Sequence, residues 1–268
     1  LGMKRFAILA PRTAYGRGMF EAFWGAVIRR GGSIRGARSY SSHARRFDDA
    51  IRGLIGRLHV NDLPVDRHWK RLNRKVPKRA LHVPPKVDFE ALFIPDSGHR
   101  VRLMLPYLSY WDIELKGDPN STTSLLRHKY AGDTPTTVTL LGGAQFLHGD
   151  ASRLPPQAQG AHFVDAYWAD TELGAAFIDR WQRLHKKPPT KIAAFAYAAG
   201  RLAARVARDE SSRAALRRNL FNIGEFSSIF GAGNIRSDGA IRIEPRILAF
   251  DANHGIQPVT RPARTNGR

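Results

Sequence analysis

KRFAILAPRTAYGRGMFEAFWGAVI, residues Lys4 to Ile28, is the stretch that decides the fold. The apolar run at positions 6–9 is too short for a helix and is followed by Pro11, which predicts a buried strand. A loop is predicted over residues 12–18 and a helix after it, with Glu21 in its first turn. Large apolar residues recur in this helix at helical spacing: Phe20, Phe23, Trp24, Val27 and Ile28.

The loop that carries Tyr15 is the first candidate for a functional site. A strand, a loop and a helix in this order form half of a βαβ crossover, and sheets built from such units bind ligands at the carboxyl ends of their strands. The local sequence by itself favours a structural alternative. In it, Gly16 and Gly18 only permit a tight turn, and Tyr15 closes the end of the sheet.

The same alternation continues along the chain and predicts an α/β fold with a mostly parallel sheet covered by helices on both faces. Asp48 and Asp49 are placed favourably at the positive end of the second helix. Asp96 and Ser97 are candidate N-cap residues of the third. Further strands are predicted over 33–40, 89–95, 136–141 and 161–169, further helices over 47–58, 101–111, 173–184, 192–206 and 216–220, and terminal hairpin strands between 235 and 255.

Charge is the most unusual feature of the composition. The 268 residues include 43 Lys and Arg against 23 Asp and Glu, a formal net charge of +20. Such a surface attracts polyanions, although a compositional bias explains it equally well. The basic residues are densest in a proline-bearing stretch, 60–87, which predicts a solvated insert. Its candidates for binding an anionic polymer or nucleic acid are Arg71, Arg74, Lys75, Lys78 and Arg79.

No motif in the chain indicates catalysis, a metal or a cofactor. There is no P-loop, no complete dinucleotide-binding glycine motif, no nucleophile-elbow serine and no metal-binding histidine spacing. Cysteine is absent, which excludes disulfides and thiol chemistry. No run of 18 apolar residues is present, so no transmembrane segment is predicted. We therefore expect a non-catalytic protein without a cofactor or a metal.

The ordered series of motifs resembles the type I periplasmic-binding-protein fold of the leucine/isoleucine/valine-binding class. It runs through A-Y-G-R-G, R-F-D-D-A-I-R-G-L-I, V-D-F-E-A-L-F-I-P-D-S, V-T-L-L-G and A-H-F-V-D-A-Y-W-A-D, and it continues through F-I-D-R-W to S-D-G-A-I-R. The similarity extends over residues 3–258. The basic insert is most similar to that of penicillin-binding-protein activators, which are envelope lipoproteins of Gram-negative bacteria.

The resemblance implies two α/β lobes around a cleft, with lobe one incomplete. Residues 3–168 would form lobe two, with the insert 60–87. Residues 169–258 would form the C-terminal part of lobe one and the returning hairpin strands, and 259–268 a basic tail. The earlier half of lobe one, normally N-terminal to Leu1, would lie outside this sequence.

The resemblance also implies the site. Tyr15 of the Y-G pair would face the cleft, as would Asp96 and Ser97, and Gln145 could add a hydrogen bond. Relatives that bind amino acids carry an acid for the ligand ammonium just after the fourth strand, where this chain has Ala144. Without that carboxylate, burying an ammonium group is unfavourable, which argues against a free α-amino acid.

The function expected from these features is that of a binding and regulatory domain of the cell envelope, similar to a penicillin-binding-protein activator that controls peptidoglycan synthesis. It would be located in the periplasm or attached to the outer membrane. Its candidate partners are a peptidoglycan synthase or another envelope protein, a small polar ligand and an anionic polymer. Two alternatives remain open: a solute-binding receptor of an ABC transporter for amino-acid-like ligands, and a polyanion- or nucleic-acid-binding protein.

Overall fold

The computed structural model describes residues 2–56, 87–118, 137–146, 154–166, 169–207, 212–251, 253 and 255–259. Strands and helices alternate through its first half, as the sequence predicts. The strands are β1 (Arg5–Pro11), β2 (Ser33–Tyr40), β3 (Ala91–Ile94), β4 (Thr139–Gly142), β5 (His162–Asp165), β6 (Glu225–Ser228), β7 (Gly231–Ile235), β8 (Ile241–Ile243), β9 (Arg246–Asp251) and β10 (Gly255–Pro258). The helices are α1 (Ala14–Arg29), α2 (Asp48–Leu54), α3 (Gly98–Tyr110), α4 (Glu172–His185), α5 (Lys191–Val206) and α6 (Arg213–Asn222).

The chain forms two compact units. Unit 1 comprises residues 1–164 and 248–257, and unit 2 comprises 165–247 and 258–268. The predicted lobe boundary at 168/169 lies four positions after the observed division between 164 and 165. Residues 248–257, which the prediction grouped with the first lobe, belong to the compact body of unit 1.

Unit 1 is built on a seven-stranded sheet of order β10-β9-β5-β4-β3-β1-β2. Neighbouring strands among β1 to β5 run parallel. Strand β1, which lies between β3 and β2, is buried on both faces from Ala7 to Ala10. The parallel pairing confirms the predicted α/β class with a mostly parallel sheet. The burial of β1 on both faces explains why its sequence is a continuous apolar run.

Helices cover both faces of this sheet, as predicted. On one face, α1 places Met19, Phe20 and Phe23 against Ile8 and Phe93. The opposite face carries α2, whose Leu54 lies so close to β2 that a Cβ at Gly36 would come within 2.8 Å of its carbonyl oxygen. Helix α3 lies beside α2. Helix α3 contains Pro106, which has no N–H to donate to the Arg102 carbonyl. Both residues are exposed, so water replaces the lost hydrogen bond.

The predicted loop over residues 12–18 is wrong for most of its length. Helix α1 begins at Ala14, so that Tyr15, Gly16 and Gly18 belong to its first turns. Thr13 is the N-cap residue, and its hydroxyl accepts a 2.9 Å hydrogen bond from the Gly16 N–H. Glu21 consequently lies in the helix interior and not in the first turn.

Several other elements are shorter than the sequence predicts, or were not predicted. Helix α2 ends at Leu54, and β5 ends at Asp165. Strand β6 has the sequence EFSS, whose three polar residues give no apolar alternation that would reveal it. In contrast, β2 has the bounds predicted for it.

Unit 2 contains helices α4 to α6 and the antiparallel sheet β6-β7-β8. Its core is small, with Phe177, Ala194, Ile229 and Phe230 fully or almost fully buried. Leu184 and Ile192 are 70% and 78% exposed, so α4 and α5 carry apolar residues that this core leaves uncovered. None of the helices in the described residues has the length and apolarity needed to cross a membrane.

Candidate functional site

The candidate site is the edge of unit 1 at which the parallel strands end. The order β2-β1-β3-β4-β5 reverses direction between β1 and β3, and in open α/β sheets ligands bind outside the carboxyl ends of the strands at such a switch point. We call this region the carboxyl edge. It consists of the last residue of β1 and of the residues that follow β1, β2, β3 and β4, which together are 11–17, 41–48, 95–100 and 143–146.

The Tyr15 side chain lies on one side of the switch point, across the end of β3. The Thr13 cap fixes the first turn of α1, and the half-buried Tyr15 side chain extends from this turn towards β4. A Cβ added to Gly143 would come within 2.8 Å of Tyr15 Oη and 3.2 Å of Met19 Cε. Because β3 lies between β1 and β4, the Tyr15 ring spans the end of β3. A side chain at position 143 would require the Tyr15 ring and the Met19 side chain to shift.

The Tyr40 side chain lies on the other side of the switch point, across the end of β1. Tyr40 ends β2 and is 3% exposed, and its hydroxyl donates a 2.6 Å hydrogen bond to Asp96 Oδ2, which follows β3. Because β1 lies between β2 and β3, this bond spans the end of β1. Burial, followed by the bond to Asp96, raises the pKa of the Tyr40 phenol far above its ordinary value. The phenol therefore remains a hydrogen-bond donor at all physiological pH values.

Arg100 completes a cluster around Asp96. Its Nε lies 3.7 Å from Asp96 Oδ2, and its Nη1 donates a 2.8 Å hydrogen bond to the Ala44 carbonyl. The guanidinium also lies over the ring of Phe47, 5.2 Å from the centroid. Arg100 thereby connects the first turn of α3 to the residues that follow β2.

The structure places all four predicted cleft residues, Tyr15, Asp96, Ser97 and Gln145, on the carboxyl edge. The four side chains differ in how far other groups of the protein already occupy their polar atoms. The Asp96 carboxylate is occupied by Tyr40, Arg100 and the Ser97 N–H, which donates to Oδ1 at 2.7 Å. The Ser97 hydroxyl caps α3, at 3.4 Å from the Arg100 N–H. Gln145 is exposed in the turn after β4. Their role in binding stays a prediction.

Tyr40 and Arg100 belong to this edge but were not predicted as site residues. The sequence offers one signal for Tyr40, its position at the end of a predicted strand. It offers none for its bond to Asp96, because the two residues are 56 positions apart in the chain. Arg100 follows the predicted cap of α3, but basic residues are too common in this chain to single it out.

Two further sequence predictions concern charge and metals. The polymer-binding candidates Arg71, Arg74, Lys75, Lys78 and Arg79 lie outside the described residues, and polyanion binding stays a prediction. Across the described ranges of the chain, no group of three or more His, Asp or Glu side chains is arranged to hold a metal ion.

Comparisons of this chain with known proteins find similar solved structures but no sequence family. Neither a scan against protein-family models nor a search of curated protein sequences finds a match. Solved structures do match. One is a putative branched-chain amino acid ABC transporter protein from Rhodospirillum rubrum, with a TM-score of 0.67, 15% identity and 96% of this chain covered. An ABC transporter substrate-binding protein from Desulfitobacterium hafniense in complex with Leu has a TM-score of 0.62, 15% identity and 96% of this chain covered.

A solute-binding protein of an R. palustris ABC transporter in complex with benzoate is similar to the same extent, with a TM-score of 0.60, 14% identity and 98% of this chain covered. The chain spans 61% of the length of each of these three structures. At these identities the likeness shows the fold, which is that of the type I periplasmic binding proteins.

The comparisons overturn the predicted regulator of peptidoglycan synthesis. The similar structures are solute-binding proteins of transporters, and they give no support to the resemblance to penicillin-binding-protein activators. That resemblance rested on the basic insert, which lies mostly outside the described residues. The alternative interpretation, a solute-binding receptor, agrees better with these comparisons.

Proposed function

We propose that this chain is part of a non-catalytic solute-binding protein of an ABC transporter, located in the periplasm, and that its carboxyl edge holds a small molecule bearing a carboxylate. The observation that carries the proposal is the position of Tyr15. The first turn of α1 directs it across the end of β3 to Gly143, at the switch point of a parallel sheet.

The chemistry of the similar proteins supports a carboxylate ligand. Leucine and benzoate, which are bound in the Desulfitobacterium hafniense and R. palustris proteins, differ in shape and in their remaining groups but share a carboxylate. The carboxyl edge of this chain suits that group. It offers backbone N–H groups at the first turns of α1 and α3 and the phenol of Tyr15, and helix N-termini favour anions.

Isothermal titration calorimetry with leucine and with benzoate tests the proposal. We expect saturable heat for at least one of them, with a Kd in about the micromolar range, that is about −8 kcal/mol. Gly143→Ala should weaken this binding about tenfold or more, because the added Cβ displaces the Tyr15 ring.

Two controls make the titration decisive. Tyr15→Phe in the Gly143→Ala background removes the atom that meets the added Cβ, so it should restore part of the affinity. Tyr110→Phe, at a tyrosine that is 73% exposed at the end of α3, should leave binding unchanged. If a ligand binds but Gly143→Ala and Tyr110→Phe have the same effect, the carboxyl edge is not the site.

A further inference from the structure

The carboxyl edge carries an excess of positive charge. Within residues 11–17, 41–48, 95–100 and 143–146 there are five arginines and two aspartates. The arginines are Arg12, Arg17, Arg45, Arg46 and Arg100, and the aspartates are Asp48 and Asp96. The stretch after β4, Gly143 to Phe146, has no charged residue at all. Any ligand at this edge meets a positive potential.

Both aspartates are occupied by groups of the protein. Asp96 accepts hydrogen bonds from Tyr40 and from the Ser97 N–H, and Arg100 lies beside it. Asp48 accepts from Arg46 Nε at 3.2 Å and from Trp111 Nε1 at 3.3 Å. Within the described part of this edge, no carboxylate is left to receive a ligand ammonium group. An ammonium group desolvated here without a carboxylate is therefore strongly disfavoured.

Three of the five arginines, unlike the two aspartates, have no partner of opposite charge among the described residues. Arg12, Arg17 and Arg45 are exposed, and their guanidinium groups form no ion pair with any residue in the described ranges. Arg12 directly follows β1, where its N–H donates to the Tyr40 carbonyl, and Arg45 follows β2. Arg17 lies two residues after Tyr15 in α1, on a different face of the helix. A guanidinium group binds carboxylate and phosphate oxygens through two parallel hydrogen bonds. Arg12 and Arg45 therefore follow the ends of neighbouring strands, because β1 pairs with β2.

We propose that the ligand of the carboxyl edge is an organic anion with at least two acidic groups and no ammonium group, a compact dicarboxylate being the simplest case. This inference rests on the proposed function and narrows its ligand class. One acidic group of such a ligand occupies the position beside Tyr15 that any carboxylate would take. The second acidic group pairs with the guanidinium groups that no acid of the described edge neutralises.

Three linear four-carbon probes separate the alternatives, because they share a butyrate skeleton and differ at its far end: succinate, butyrate and 4-aminobutyrate. Titration calorimetry at low ionic strength, about 20 mM salt, keeps the Debye length near 20 Å. We expect succinate to bind about tenfold more tightly than butyrate, since one extra ion pair contributes a factor of this order near a protein surface. We expect 4-aminobutyrate to bind at least about tenfold more weakly than butyrate, because its ammonium group meets unpaired cations.

Arg12→Gln and Arg29→Gln form a matched pair of variants. Both remove one positive charge, but Arg12 follows the carboxyl end of β1 and Arg29 ends α1. Arg12→Gln should weaken succinate binding about fivefold and butyrate binding less, and Arg29→Gln should change neither. Equal losses in the two variants would show that succinate responds to net charge alone, which overturns the inference.

The outcomes distinguish this inference from the function on which it rests. If leucine or 4-aminobutyrate binds more tightly than succinate, the anion specificity is wrong and the solute-binding function stands. If succinate and butyrate bind equally, the second acidic group has no partner and the inference fails in the same way. If none of the probes, nor leucine, nor benzoate, produces heat, the proposed function itself is wrong.

Discussion

The Tyr40 hydroxyl donates a 2.6 Å hydrogen bond to Asp96 Oδ2 across the end of β1. The bond joins the end of β2 to the residue that opens the turn after β3, so the two strands that flank β1 are connected at its carboxyl end. Arg100 faces the same carboxylate at 3.7 Å. The cluster positions the first turn of α3 while leaving the opposite side of the switch point to Tyr15.

Tyr40→Phe should lower the free energy of unfolding by about 2 kcal/mol, because a buried hydrogen bond to a charged group is lost and Asp96 keeps only weaker partners. Denaturant unfolding at pH 7 measures the change. Tyr110→Phe removes the same atom from an exposed ring and should alter stability by less than about 0.5 kcal/mol. Similar values for the two variants would mean that the bond contributes nothing net.

Gly16→Ala and Gly18→Ala should change stability in opposite directions although both lie in α1. A Cβ at Gly16 would lie 2.1 Å from the Pro11 carbonyl oxygen, so we expect a loss of about 2 to 3 kcal/mol from the forced backbone shift. A Cβ at Gly18 meets nothing within 4 Å, and alanine there should add about 0.5 to 1 kcal/mol through its helix propensity. Thermal unfolding of both variants tests this contrast, and a shift of equal sign would contradict the position of α1 against the end of β1.

Glu90 should make stability depend on pH in the acidic range. The backbone N–H groups of Lys4 and Arg5 each donate a 2.9 Å hydrogen bond to Glu90 Oε2, and these bonds hold the pKa of Glu90 below its ordinary value. A carboxyl group with a lowered folded-state pKa stabilises the protein above its unfolded-state pKa, about 4.3, and this contribution is lost as the pH falls through the folded-state value.

The variant Glu90→Gln should therefore be less stable than the parent at pH 7, and the difference should narrow below about pH 4. Urea unfolding over a pH series gives both curves. Glu21→Gln, an exposed change of the same charge on α1, is the control for net charge. A difference between parent and Glu90→Gln that stays constant down to pH 3 would contradict the assignment.

Lys191→Met should destabilise unit 2. Lys191 Nζ lies 2.5 Å from Asp165 Oδ1, and Asp165 is only 3% exposed, so removing the lysine leaves a buried carboxylate without its ion-pair partner. We expect a loss of about 3 kcal/mol. The double variant Asp165→Asn with Lys191→Met should recover part of it, because the buried charge is gone. Chemical denaturation of the parent protein and the two variants measures these changes. No recovery in the double variant would indicate that the lysine acts through its aliphatic contacts.

The sequence predicted those parts of unit 1 that follow from local apolar patterns. Ala7–Ala10 and Ser33–Tyr40 are strands, and Ser97 is a helix cap, because these features depend on residues close together in the chain. The start of α1 was missed since Gly16 resembles a turn residue. Its function is to let the helix approach the Pro11 carbonyl, a contact that no local pattern records.

The candidate site also contains residues that local sequence patterns predict and residues that they do not. Tyr15 and Asp96 could be assigned to one edge because both follow predicted strands, and parallel strands end on the same side. The partner that occupies Asp96, Tyr40, could not be identified, because choosing it requires knowing that β1 lies between β2 and β3. Strand order is a property of the whole chain. The charge excess of the edge depends on strand order equally, since its arginines come from separate segments of the chain.

The strand order also has a consequence for how this protein folds. β1 pairs on one side with β2, where Arg5 faces Ser33, and on the other with β3, where Phe6 faces Ala91. Closing the shorter loop loses less chain entropy, so we expect the β1–α1–β2 unit to form first and β3 to join it in a later, rate-limiting step. Pulse-labelling hydrogen exchange during refolding should then protect the amides of β2 before those of β3, and simultaneous protection would show that the central sheet condenses in one event.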